Sequence, residues 1–269
     1  EEKAVGGPAS LKRRRLAVPA CVAGLFVGAG SAAEGPDRHQ GRSRRVPHVD
    51  GNFPTLIYLP VDLTDAWRQC AEACAATLRH LASASTGTAE VHVIDAGSPP
   101  GWHVSLSPLL MLRKQLIEPL NARLRTAACA AGSSREVFFD EGVEILAAKD
   151  GGRYFAALAV SEASARWLRR VAAGALGAAE ALGLASGELP SEAMRPHCSL
   201  AWTLADLQPG LAASGAVCRE SPWGMSWHFD ASPVGSAWPS PPEVPAVALC
   251  AKVGDRVTKY PCQRAEHTT

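Results

Sequence analysis

His103-Val104-Ser105-Leu106-Ser107 and His197-Cys198-Ser199-Leu200-Ala201-Trp202 are near-copies of one pattern. Each reads as a short strand. Alternation along it puts the His and the Ser two places on at one face and turns Val104 or Cys198 to the other, into a core. Imidazole is the side chain whose ordinary pKa, about 6.5, lets it both give and take a proton near neutrality. A single copy would read more readily as a half-buried strand with a satisfied histidine. Duplication, with Leu after each Ser and a loop rich in Pro, Gly or Ser before each His, favours two strands that build one acid–base site.

Working outward, residues 55–61 read as a strand, Asp62 to Thr64 as a helix cap, and 65–82 as a helix with Ala, Leu and Cys at helical spacing around Trp67. A strand around Val91-His92-Val93-Ile94 and a turn at Gly97-Ser98-Pro99-Pro100 precede the first motif. Leu109, Leu112, Leu116, Leu120 and Leu124 predict a helix over 109–130. Strands at 136–147 and 153–160 flank a Lys149-Asp150-Gly151-Gly152 turn, and a helix over about 162–184 leads to the second motif. Residues 205–244, full of Pro, Gly, Ser and Trp, predict no defined element. A last hairpin pairs Ala248-Leu249-Cys250-Ala251-Lys252 with Arg256-Val257-Thr258. Strands and helices mix without regular βαβ alternation, so the class is α+β: two pseudo-symmetric lobes of antiparallel sheet flanked by helices. Residues 1–47 are expected to be a disordered basic tail and 48–269 a bilobal domain with interleaved lobes, one motif in each.

At 269 residues, 47% hydrophobic and 20% charged, the chain has the composition of an ordinary globular enzyme. The net charge of +1 hides nine Lys and Arg against five Asp and Glu in residues 1–50. A nucleic-acid contact would therefore come from local basic groups. Eight cysteines with no Cys-x-x-Cys pair suit a reducing compartment. Cys70 and Cys74 lie one helical turn apart, but no second pair has ligand spacing, so no metal and no cofactor is expected. The apolar stretch 16–33 after Lys12-Arg13-Arg14-Arg15 imitates a secretory signal. Pro19 and several glycines interrupt it, and a basic, nuclear-targeting tail with no membrane contact is the expectation.

Together these residues resemble the two-histidine (2H) phosphoesterases, and within them the U6 small nuclear RNA phosphodiesterase family. Beyond the two motifs, the resemblance runs through Gly41-Arg42 to Pro47-His48, Gly51-Asn52-Phe53, Thr55 with Tyr58-Leu59-Pro60, and the Lys252-Val253-Gly254-Asp255-Arg256 hairpin ahead of Pro261. Phe53 stands where that family has Trp. The approach to the second motif, Ala193-Met194-Arg195-Pro196, lacks a Tyr-bearing loop, and 205–244 lacks the helix expected there.

The resemblance implies a monomeric nuclear enzyme that shortens an RNA 3′ end, the oligouridine tail of U6 small nuclear RNA. His103 and His197 would be the general acid/base pair across a phosphate, with a ribose 2′-hydroxyl as nucleophile and a 2′,3′-cyclic phosphate as product. Ser105 and Ser199 fit as donors to the non-bridging oxygens. Ser107 shares their face and would orient a ring or phosphate. Tyr154 and Trp202 offer faces for stacking bases, and Arg42, Arg44 and Arg45 suit upstream phosphates. Two other readings stay open: a 2′,3′-cyclic phosphodiesterase acting on small or ligase-type ends, and a non-catalytic RNA-end-binding protein.

Overall fold

The computed structural model describes residues 49–262 apart from 86–88, 133, 149–151, 185–194, 222–223, 230–234 and 236. The tail expected over 1–47, the Lys149-Asp150-Gly151 part of one turn and Ala193-Met194 lie outside the described residues.

In chain order the elements are β1 (Asn52–Pro60), α1 (Asp65–Ala82), β2 (Val91–Val93), β3 (His103–Ser105), β4 (Leu110–Arg113), a single 3-10 turn (Lys114–Leu116), α2 (Ile117–Ala130), β5 (Arg135–Val137), β6 (Val143–Ala147), β7 (Tyr154–Ala159) and α3 (Glu162–Glu180). Then come β8 (His197–Thr203), α4 (Gln208–Ala213), β9 (Val217–Ser221), β10 (Gly224–Phe229), β11 (Val244–Ala246), β12 (Ala248–Val253) and β13 (Arg256–Pro261). The class is α+β, with helices against one large antiparallel sheet of order β13-β12-β1-β3-β8-β7-β6-β10-β9. On one edge β1 takes β12, and on the other it takes β3 and β4. Likewise β8 takes β7 on one edge and β3 and β2 on the other. The sheet thus has two halves, each with a His-x-Ser strand at its inner margin, joined where Val104 pairs with Cys198.

Local chemistry explains the helices. Thr64 caps α1 through its hydroxyl, which accepts from the Trp67 N–H at 3.3 Å, while Asp65 opens the first turn and Arg79 and His80 close the last. The stripe Trp67, Cys70, Cys74, Leu78 and Leu81 is buried and lies against β8, β7 and β2. In α2 the buried stripe is Leu120, Leu124 and Ala128, against α3 and β13. The halves are interleaved: β12 and β13 from the end of the chain complete the half that begins with β1, and α1 from the first half of the chain covers strands of the other.

Several expectations need correction. The helix predicted over 109–130 begins at Ile117; Leu110 and Leu112 are buried by strand alternation on β4, paired with Thr55 and Phe53, and Leu109 is exposed. The strand predicted over 136–147 is two strands, β5 and β6, broken at Gly142, whose φ of +91° bends the chain. Residues 205–244 hold α4 and two strands, β9 and β10, which extend the sheet beyond β6. The helix read over 162–184 ends at Glu180.

Gly142 allows a test of this packing. A Cβ there would stand 2.4 Å from the Phe229 carbonyl oxygen, whereas at Gly177 on α3 a Cβ meets nothing within 4 Å. Gly142→Ala is expected to destabilise the fold by about 1–3 kcal/mol through overpacking and a disfavoured φ. Gly177→Ala is expected to leave stability equal or raise it by up to about 1 kcal/mol. Chemical denaturation of both variants checks the opposite signs.

Candidate active site

Register decides which side chains share a face. Val104 and Cys198, opposite each other in β3 and β8, are both fully buried on the α1 side. Alternation therefore sends His103, Ser105, His197 and Ser199 to the other side, and all four are half-buried there. In an antiparallel pair centred on 104 and 198, the positions that face each other next are His103 with Ser199 and Ser105 with His197. Each imidazole is thus set across from the hydroxyl of the other motif.

Both rings are held in the same way. His103 Nδ1 lies 2.7 Å from the Gly101 carbonyl oxygen, and His197 Nδ1 lies 2.9 Å from the Arg195 carbonyl oxygen, each two residues back along the chain. A carbonyl only accepts, so in both rings Nδ1 carries the proton and the neutral tautomer leaves Nε2 as the working atom. Tyr58, paired with Ser105, packs edge-on to the His103 ring with centroids 5.4 Å apart. Burial pushes the Tyr58 hydroxyl up to about 12, so it stays protonated.

Burial is also the main influence on the imidazoles, holding both below the ordinary histidine value. For His103 the Gly101 carbonyl opposes that shift and the charge of His197 adds to it, a sign that the two rings are electrostatic neighbours. For His197 the Arg195 carbonyl and then the Glu144 carboxylate oppose it, and the Arg195 guanidinium adds to it. One neutral ring beside one imidazolium is the state that moves a proton in at one point and out at another, and burial makes the charged form of either ring harder to reach.

A cavity of about 650 Å³ opens on this side of the sheet. Ser105, Ser107 and His197 line it, together with Glu144, Phe155 and Arg195; His103, Ser199, Tyr154 and Trp202 are not among its lining residues. Ser107 is 7% exposed, and its hydroxyl accepts from the Ile57 N–H at 3.0 Å, so it ties the first motif to β1.

Tyr154 and Trp202, expected to offer faces for stacking bases, are both buried. Tyr154 is 5% exposed, its hydroxyl accepts from Gln208 Nε2 at 3.1 Å, and its ring packs beside Trp227. Trp202 is 3% exposed with His92 stacked on one face at 4.2 Å.

Sequence reasoning missed Glu144 and Phe155. Glu144 is the one charge in the apolar strand Val143-Glu144-Ile145-Leu146-Ala147, which was the available signal. Its side chain is 1% exposed and its Oε1 accepts from Arg195 Nη1. Among the described residues no group of three or more His, Cys, Asp or Glu gathers as for a metal ion, and no helix is long and apolar enough to cross a membrane.

The chain is similar to U6 snRNA phosphodiesterase 1 of Bos taurus, 29% identical over 170 residues that make up 62% of this chain and 58% of that protein. It is 30% identical over 158 residues to U6 snRNA phosphodiesterase 1 of Mus musculus, 57% of this chain and 53% of that protein. The chain therefore spans a little over half the length of these curated relatives. Among solved structures, Usb1 of Kluyveromyces marxianus shares the fold with a TM-score of 0.54 and 18% identity, over 77% of this chain and 97% of that chain. The HVSL family, described as "Uncharacterised conserved protein", matches residues 16–220, and the chain belongs to that family.

Proposed function

We propose that the chain is a metal-independent 3′-to-5′ exoribonuclease that trims the oligouridine 3′ end of U6 small nuclear RNA in the nucleus. The observation that carries this reading is the pairing of β3 with β8, which sets two His-x-Ser units on one face with both Nδ1 atoms pinned to carbonyls. Similarity to the U6 snRNA phosphodiesterases supports the substrate.

In this mechanism a neutral imidazole accepts the 2′-hydroxyl proton of the penultimate ribose at Nε2. The 2′-oxygen attacks the adjacent phosphorus, the bond from phosphorus to the 5′-oxygen of the last nucleotide breaks, and the second ring, an imidazolium, gives its Nε2 proton to that oxygen. The shortened RNA carries a 2′,3′-cyclic phosphate and the terminal nucleoside leaves with a 5′-hydroxyl. Charge grows on the non-bridging oxygens, where the Ser105 and Ser199 hydroxyls donate. Each proton transfer is worth roughly 10² to 10⁴ in rate. A DNA end lacks the nucleophile and does not react.

Incubation with an oligouridine-ended RNA in EDTA is the direct test. Laddered shortening with cyclic-phosphate ends is expected. Turnover of cyclic mononucleotide without shortening, or neither reaction, contradicts the proposal. His103→Ala and His197→Ala are expected to abolish shortening while RNA binding persists, and Ser105→Ala or Ser199→Ala to slow it by about 10²- to 10³-fold. Retained cleavage in either histidine variant sinks the assignment.

The pH dependence follows from the buried rings. With both values below 6.5, raising the pH of the free protein removes the imidazolium before an ordinary histidine would titrate. The bell of kcat/KM against pH, which reports the free enzyme, is therefore expected to centre below about 6.5. A centre above that value speaks against these two rings as the acid and base.

A further inference from the structure

Glu144 presents a problem the reaction above leaves unsolved. Its carboxylate lines the cavity, its Oε1 is engaged by Arg195, and its Oε2 is buried with no hydrogen-bond partner. A buried charged acceptor left unsatisfied costs about 1–3 kcal/mol or more, and such groups in native proteins call for a specific explanation. The guanidinium beside it is one-third exposed and has five N–H donors, of which Nη1 serves Glu144. The result is a buried acceptor, in an ion pair with donors to spare, within the wall of a cavity whose opening a ligand must enter to reach it.

Neutrality argues against a phosphate at this spot, because a carboxylate repels an anion and the arginine is already compensated. Position agrees. Glu144 pairs with Ala157 on β7, and Ala157 pairs with Ser199 on β8, so all three lie in one row across the sheet. Two strand spacings separate Glu144 from Ser199, about 10 Å. A phosphate held at the motif serines stays clear of the carboxylate, while the base of the same nucleotide reaches toward it. Phe155, two residues along β7 from Ala157, lines the same cavity, with the Arg153 guanidinium over one side of its ring at 5.9 Å from the centroid.

We propose that Glu144 and Arg195 read the Watson–Crick edge of the terminal nucleobase: Glu144 Oε2 accepts from a ring imide N–H, as in uracil, and Arg195 donates to the flanking carbonyl. The assignment rests on the exoribonuclease reading and adds to it a base-recognition site. It also makes Arg195 a two-way support, since its carbonyl orients His197 while its side chain holds Glu144.

The test compares RNAs that differ only in the last nucleotide: uridine, N3-methyluridine, which lacks the imide N–H, and an abasic ribose. With the wild-type protein, kcat/KM is expected to fall about tenfold or more from uridine to N3-methyluridine, the scale of a hydrogen bond to a charged group. In Glu144→Gln the Arg195 guanidinium keeps the amide oxygen and turns the NH₂ to the cavity, replacing acceptor by donor. The ratio of kcat/KM for the uridine end to that for the abasic end is then expected to drop about tenfold or more. Equal wild-type rates on uridine and N3-methyluridine ends overturn the proposal, and so does a Gln variant slowed by one factor on all three ends, the mark of a purely structural carboxylate. The wild-type comparison holds even if the variant fails to fold. If none of the three RNAs is shortened, the exoribonuclease reading itself falls, and this assignment with it.

Discussion

The site depends on one cross-strand contact, Val104 against Cys198. Few ladder bonds join β3 to β8, and a typical backbone hydrogen bond contributes only about 1 kcal/mol net. Full burial of Val104 contributes about 1.5–3 kcal/mol, and its neighbours on that face, Cys198 and Leu200, are fully buried as well. Burial on the α1 side therefore fixes the register more firmly than the hydrogen bonds do. A slip of one residue would turn Val104 out and His103 in. The same burial that stabilises the seam thus sends both imidazoles to one face, where the Gly101 and Arg195 carbonyls set the ring orientation.

Interleaving extends that dependence across the domain. The β12–β13 hairpin completes the half that carries the first motif, and α1 covers the half that carries the second. Each half of the sheet is thus completed by an element distant from it in sequence. A pocket that draws Ser105 from one half and His197 from the other is a property of the whole domain.

What was legible in the chain follows from how local each determinant is. The motif strands, α1 with its Thr64 cap and the last hairpin depend on periodicity and capping within a few residues, and they stand where the pattern puts them. Leu109 to Leu124 misled because leucines there satisfy both a two-residue and a four-residue period. Pairing of β4 with Asn52–Thr55 on β1 decides for a strand up to Arg113, and Pro119 is accommodated in the first turn of α2, where a proline costs little. Trp202 could not be placed by counting from His197. The β7 pairing moves from Ala156–Ala201 to Ala157–Ser199, skips Leu200 and breaks the alternation. The cover that buries Tyr154 comes from Gln208 and Trp227, far away in sequence.

Glu144 was illegible as a site residue for a related reason. A lone carboxylate in an apolar strand declares that something distant must compensate it, without saying what. The partner is Arg195, two residues before His197, in a stretch where the chain departs from the family it resembles. One residue thus supplies both the carbonyl that fixes the His197 tautomer and the guanidinium that holds Glu144, so a single backbone position serves the second motif and the far wall of the cavity.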